Sequence, residues 1–206
     1  MTQSALYVIF NKCIYSYCAC LNFTAHRLVS IFKLLCGKRY IIILLKFYLI
    51  ETTEETMAER KIIQNGDEML RKVSKPVARF DKALWEILDD MHDTLNKADG
   101  VGLAGVQVGI LKRIVVLHVN GLTLELINPQ IIETSGHQCQ KEGCLSIKGV
   151  YDYVERPAKV KVRALDRYGY TYEMMGEDLL ARAFCHEIDH LDGILFIDKV
   201  VKKKGR

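Results

Sequence analysis

The run Arg113-Ile114-Val115-Val116-Leu117-His118-Val119-Asn120-Gly121-Leu122-Thr123-Leu124-Glu125-Leu126-Ile127 is two segments rich in Val, Ile and Leu around an Asn-Gly pair. Asn-Gly is the dipeptide that best supplies the two left-handed residues of a type I′ turn, so the run reads as a β-hairpin with strands over residues 113–119 and 122–127. More strands follow the same signals over residues 130–134, 150–154, 159–165 and 171–175, with Asp166-Arg167-Tyr168-Gly169 as a turn. Two helices flank the strands. Upstream, Leu84, Leu88, Met91, Leu95 and Ala98 recur at helical spacing; Asp81 can cap that helix, and Ala98-Asp99-Gly100 stops it. Downstream, residues 177–191 carry acids in the first turn, then Leu179, Leu180, Ala183 and Phe184, then His186 and His190, the pattern of a buried helix. The fold class expected is α+β, with mixed, largely antiparallel sheets packed around that buried helix.

Composition sets the boundaries of this body. The chain has 206 residues, half of them apolar, enough for one domain of ordinary size plus an appendage. Residues 1–50 hold six basic residues (Lys12, Arg27, Lys33, Lys38, Arg39, Lys46) and no acid, so a formal net charge of +4 leaves −2 on the remainder. That near-neutral body gives no charge argument for DNA or other nucleic acid. The first segment fits neither a spanning helix of ~20 apolar residues nor a secretory signal. Residues 1–56 are therefore expected to be an extension that is disordered or not native, with the native start at Met57; an organelle transit peptide is the alternative. Residues 57–206 form the expected catalytic domain, opening with a polar arm that contains Asn65-Gly66-Asp67 and Ser74-Lys75-Pro76. No membrane contact is expected for it. The cysteines, odd in number and crowded at Cys13, Cys18, Cys20 and Cys36, do not form the spacing of a disulfide scaffold and point to a reducing, cytoplasmic compartment.

The chemistry lies in His186-Glu187-Ile188-Asp189-His190. At 3.6 residues per turn the i and i+4 imidazoles leave one face of a helix close enough to share an ion, with a glutamate beside them for proton transfer. Short matches of this kind also occur on exposed helix faces. Here the surrounding apolar residues imply burial, where unpaired His and Glu would be costly. Two histidines leave a tetrahedral ion short of a protein ligand. Cys144, in Glu142-Gly143-Cys144-Leu145-Ser146, is a candidate, although on composition alone it reads equally well as a packed thiol.

These two segments, together with Gly100-Val101-Gly102-Leu103-Ala104-Gly105-Val106-Gln107, resemble the three signature motifs of the peptide deformylases, in the family's order. The resemblance spans residues 57–201 and includes the opening Gly66-Asp67-Glu68-Met69-Leu70-Arg71. It implies that Cys144, His186 and His190 are the ligands of one divalent metal ion and that metal-bound hydroxide attacks the formyl carbon. Glu187 would be the general acid/base, and Gln107 with the Leu145 backbone N–H would receive the oxyanion. The substrates implied are N-formylmethionyl nascent peptides, which lose formate. Gly100 and Gly102 would let the backbone approach the substrate, and Leu179 and Ala183 would line the methionine pocket. Glu142 and Arg156 match a structural ion pair beneath the site. The donor set suits Zn2+, Ni2+, Co2+ or Fe2+ by ligand type, and the resemblance implies Fe2+.

Some positions depart from the family pattern: Gly105 and Val106 where Ala and Pro are usual, Lys148 for a common Pro, and Cys185 where Gln is frequent. Extra backbone freedom at Gly105 is expected to loosen the hold on Gln107. Two rivals are weighed. A zinc endopeptidase would need a third ligand downstream, where only Asp192 and Asp198 follow closely. A catalytically weak, ribosome-associated binding module would draw on the altered Gly105-Val106 pair and the basic tail Lys202-Lys203-Lys204-Gly205-Arg206, a tail that otherwise reads as a solvated end or as a transient contact with ribosomal RNA.

Overall fold

The structure, a computed structural model, describes residues 59–201. The expectations for residues 1–56 and for the basic tail at 202–206 lie outside the described residues.

The hairpin forms as its sequence requires. Strands β2 (Ile114–Val119) and β3 (Leu122–Ser135) pair antiparallel from Ile114 opposite Ile127 to Val119 opposite Leu122. Asn120 and Gly121 sit at φ 51° and 80°, the left-handed pair of a type I′ turn. The separate strand expected at 130–134 is instead the second half of β3. Asn128, at φ 52°, bends the strand and shifts its register, and beyond it β3 pairs with β6 (Lys159–Leu165), Gln130 opposite Arg163. The Asn128 side chain accepts from Val77 N–H at 2.8 Å and donates to Val77 C=O at 2.9 Å, which ties the bend to the N-terminal arm.

With β1 (Gly102–Ala104) and β7 (Thr171–Glu177) the order is β1-β2-β3-β6-β7, antiparallel throughout, and β4 (Gln138–Cys144) and β5 (Ile147–Arg156) form a second, two-stranded sheet. β5 is longer than the strand expected at 150–154, and β1 and β4 were not anticipated. β1 is too short to show a period, and β4 is mostly polar, its one buried residue being Glu142, so neither has an apolar alternation to read.

Helix α1 (Lys82–Ala98) begins where Asp81 accepts from Leu84 N–H at 3.2 Å and ends at left-handed Asp99. Helix α2 (Asp178–Leu191) starts after Glu177. Period-two alternation along β2 sends Ile114 and Val116 to one face, where they pack with Leu84, Leu88, Met91 and Leu95 of α1. Val115, Leu117 and Val119 go to the other, against Phe184, Ile188 and Leu191 of α2. The sheet is thus filled from both sides, and each such buried side chain contributes ~1.5–3 kcal/mol of transfer free energy. A third cluster of Leu70, Ile147, Val154, Leu195 and Phe196 joins the two-stranded sheet to the arm and to the 3-10 turn Phe196–Lys199. Among the described residues no helix is long and apolar enough to cross a membrane.

Candidate metal centre

Helix α2 presents His186 and His190 one turn apart, ring centroids 5.0 Å from each other. Cys144 reaches them from the end of β4, where β4 and β5 close a tight turn through Leu145 and Ser146 with Cys144 opposite Ile147. Its Sγ is 3.2 Å from His190 Nε2, and the ligand atoms of Cys144, His186 and His190 all lie within 4.8 Å of one another. Cys139 is exposed and outside this group, and burial pushes the Cys185 thiol up to about 11, which disfavours its thiolate.

The opposite edge of His186 is held by a buried charge network. Its Nδ1 is 3.0 Å from Glu142 Oε2, and Arg156 grips Glu142 with two bonds of 2.9 and 3.1 Å and Asp189 with a third of 2.5 Å. Burial alone would push the Glu142 carboxyl up, but hydrogen bonds from His186 and Arg156 bring it down to about 2. An ionised Glu142 accepts the Nδ1 proton of His186, which leaves the Nε2 lone pair for the Cys144 side. His190, 1% exposed, is lowered to about 3, chiefly by burial, so its ring stays neutral.

Glu187, 4% exposed, has one carboxylate oxygen with no hydrogen-bond partner, and burial pushes its carboxyl up to about 7. A buried polar atom left without a partner is costly in a finished core. A thiol and two imidazoles brought this close, with an unpartnered buried carboxylate on the residue next to His186, fit a divalent cation of borderline softness with a water beside it. Among the described residues no second group of this kind occurs.

Gln107, 1% exposed, lies in the 3-10 turn Gly105–Val108 that follows β1. Its Oε1 accepts from Ala104 N–H at 2.7 Å, and its Nε2 donates to Ser146 Oγ at 3.2 Å and lies 3.6 Å from Cys144 Sγ. Leu145 follows Cys144 in the tight turn. The N-terminal arm crosses both segments. Ile63 N–H donates to Gln107 C=O at 2.8 Å, Asn65 N–H to Ser146 C=O at 2.7 Å, and Gln64 Nε2 to Leu145 C=O at 3.2 Å. Sequence reasoning left Gln64 and Ser146 out of the site, because a polar arm and a turn serine carry no signal of where the fold takes them.

Gly102 sits where a Cβ would come within 2.4 Å of Glu187 Oε1 and 2.7 Å of Leu117 Cδ2, and at Gly100 a Cβ would meet Leu145 and Leu95 at 2.7 Å. Both glycines are needed by the protein's own packing. Leu179 and Ala183 share one side of α2 with His186 by their i, i+4 and i+7 spacing; Ala183 is buried and Leu179 half-buried against the sheet. The looseness expected at Gly105 is corrected by its surroundings. A Cβ there would lie 2.8 Å from Ile114 Cγ1 and 2.9 and 3.0 Å from the carbonyl oxygens of Ile110 and Lys112, so the glycine marks tight closure of a loop. The endopeptidase reading loses its two possible ligands, since Asp192 pairs with Arg113 and Asp198 with Arg71.

Residues 59–206 match the polypeptide deformylase family. A peptide deformylase of Caldanaerobacter subterraneus subsp. tengcongensis is 57% identical over 146 residues, which cover 71% of this chain and 92% of the relative. The crystal structure of a peptide deformylase from Legionella pneumophila superposes with a TM-score of 0.69 at 45% identity, covering 70% of this chain and 88% of that one. A Met-Ala-Ser-bound peptide deformylase from Acinetobacter baumannii gives 0.67 at 31% identity, covering 70% and 99%. The chain belongs to the polypeptide deformylase family, hydrolases that remove the N-formyl group from nascent polypeptides.

Proposed function

We propose that in this deformylation Cys144, His186 and His190 hold one divalent cation, Glu187 carries the proton, and Gln107 with the Leu145 backbone N–H receives the oxyanion. The observation that supports this most is the approach of one thiol and two imidazoles to within 4.8 Å of one another, beside a buried glutamate with an unpartnered oxygen. When bound, the cation supplies Lewis acidity that activates water and polarises the formyl carbonyl. Glu187 takes a proton from the attacking water and passes it to the α-amine nitrogen as the C–N bond breaks, so that formate and a free N-terminal methionine leave. Meanwhile Gln107 Nε2–H and Leu145 N–H donate to the formyl oxygen as it gains charge. Leu179 and Ala183 line the apolar pocket for the methionine side chain, and Gly100 and Gly102 let the substrate backbone come close.

Ferrous iron is the resident ion in this reading; zinc, nickel and cobalt suit the donors as well by ligand type. An iron–thiolate centre accords with the reducing cytoplasm as the compartment, and residues 57–206 are the catalytic domain, in keeping with the family match over 59–206. The basic tail at 202–206 offers counter-charge to ribosomal RNA, a salt-sensitive contact tested by co-sedimentation with and without the tail.

The deciding experiment is formate release from formyl-Met-Ala-Ser by anaerobically purified protein, with bound metal assayed on the same sample. Turnover with iron bound, both lost in Cys144→Ala, is expected. Undiminished turnover in Cys144→Ala would overturn the ligand assignment, and zinc in place of iron would overturn the choice of ion.

A further inference from the structure

Gln107 is useful as an oxyanion donor only if its carboxamide is turned the right way round and one N–H is left pointing into the site. Ala104 N–H donates to Oε1 at 2.7 Å, which fixes the flip and puts the NH2 end on the Cys144 side. One of the two Nε2 protons is then taken by Ser146 Oγ at 3.2 Å, and the other faces Cys144 Sγ at 3.6 Å, a weak acceptor that a formyl oxygen entering the site can replace. Ser146 is fully buried, its hydroxyl can act as that acceptor, and its own carbonyl is pinned by Asn65 N–H at 2.7 Å. We infer that Ser146 is a positioning residue for deformylation, its hydroxyl oxygen holding one N–H of Gln107 so that the other is the donor to the formyl oxygen. The inference rests on Gln107 acting as proposed above.

The hydroxyl matters because a carboxamide with a single anchor swings about its last side-chain torsion, which is broad and soft. A donor held at two points is already aimed when charge develops, whereas one held only through Oε1 must be oriented during the reaction. The cost therefore falls on kcat rather than on peptide binding, since the donor bond strengthens only as the oxyanion forms.

The test is Ser146→Ala in the metal-loaded full chain, with formyl-Met-Ala-Ser as substrate. Expected are unchanged metal content, kcat lower by roughly 10- to 100-fold (less than the ~10²–10³ for outright loss of an oxyanion donor), and KM changed by no more than about twofold. In a Gln107→Ala background the same substitution should cost less than about twofold in kcat, because nothing is left to position. A normal kcat in Ser146→Ala, or an equal loss in the Gln107→Ala background, overturns the inference and leaves the deformylase reading standing. A wild-type chain that carries metal and releases no formate overturns both. If Ser146→Ala does not fold, zinc-loaded wild-type protein decides the matter by hydrogen exchange at the Gln107 carboxamide. Two protons that exchange at clearly different rates, the one on Ser146 the slower, support the inference; equal rates for the two refute it.

Discussion

Glu142 Oε2 lies 3.0 Å from His186 Nδ1 on the side of the ring away from Cys144. A carboxylate in that position fixes the tautomer and orientation of an imidazole ligand, and losing such a partner typically weakens metal binding ~10- to 100-fold. Glu142→Gln is expected to show a drop of that size by chelator competition. It should also lower thermal stability, because Arg156 would lose the carboxylate it grips in a site where its side chain is 3% exposed. Unchanged metal affinity would mean that Glu142 supports only Arg156.

Glu187→Gln keeps the shape of the side chain and removes its capacity to carry a proton. The variant should bind metal as the wild type does and lose ~10²–10⁴ in kcat, the usual contribution of a positioned general acid/base. Near-normal turnover with metal bound would assign the proton to another group.

Gly102 bears on the same carboxylate. A Cβ at this position would fall 2.4 Å from Glu187 Oε1 and 2.8 Å from its carboxyl carbon, so Gly102→Ala must displace the side chain. Activity should fall at least ~10-fold, as expected when a reacting group is shifted by a fraction of an ångström or more. Metal content should hold, because the three atoms nearest that Cβ belong to Glu187 and Leu117 and not to the proposed ligands. Full activity in Gly102→Ala would show that Glu187 has room to move without consequence.

What could be read in advance follows from how local each signal was. Asn120-Gly121 specifies one turn whatever surrounds it, and the hairpin formed around it. The stripe on α1 and the histidine spacing on α2 are likewise set by helical geometry. Two strands were expected at 122–127 and 130–134, but they are one, because Asn128 takes a left-handed conformation and finds both its partners on Val77, 51 residues away. β4 stayed hidden because a mostly polar strand whose one buried residue is a glutamate has no apolar period. The proposed ligands were named from motif resemblance, whereas the contacts of Gln64 and Ser146 with the Leu145 and Gln107 segments are products of the folded chain, and no local pattern encodes them.

Glu125 offers a test of stability away from the metal. Its carboxylate, 15% exposed, accepts from Arg167 Nε at 3.0 Å, with His92 Nε2 at 3.1 Å. Burial would raise its carboxyl, but the bonds from His92 and Arg167 bring it from 4.5 down to about 2. A depressed carboxylate stabilises the fold fully above its unfolded value and loses that contribution as pH falls through the folded one. Glu125→Gln should therefore be less stable than wild type by on the order of 2 kcal/mol at neutral pH. The difference should shrink between about pH 5 and about pH 2. A difference constant across that range would mean that the ionised carboxylate is not what stabilises the wild type.

Gly105→Ala restores the residue usual in the family, and by backbone entropy alone it should stabilise the chain by ~0.4–1 kcal/mol. The surroundings argue the reverse. The added methyl would press on Ile114 Cγ1 at 2.8 Å and on the carbonyl oxygens of Ile110 and Lys112 at 2.9 and 3.0 Å, and two of those three neighbours are backbone that cannot rotate away. Ile110 N–H is moreover bonded to Gly105 C=O at 2.9 Å, so the loop and the glycine cannot separate without losing that bond. Overpacking of this kind typically costs ~1–3 kcal/mol, and because Gln107 lies two residues on in the same 3-10 turn, kcat should fall together with stability. Chemical denaturation and formate release on the one variant decide between the two effects. A more stable, fully active Gly105→Ala would mean that the loop yields easily and that entropy governs this position.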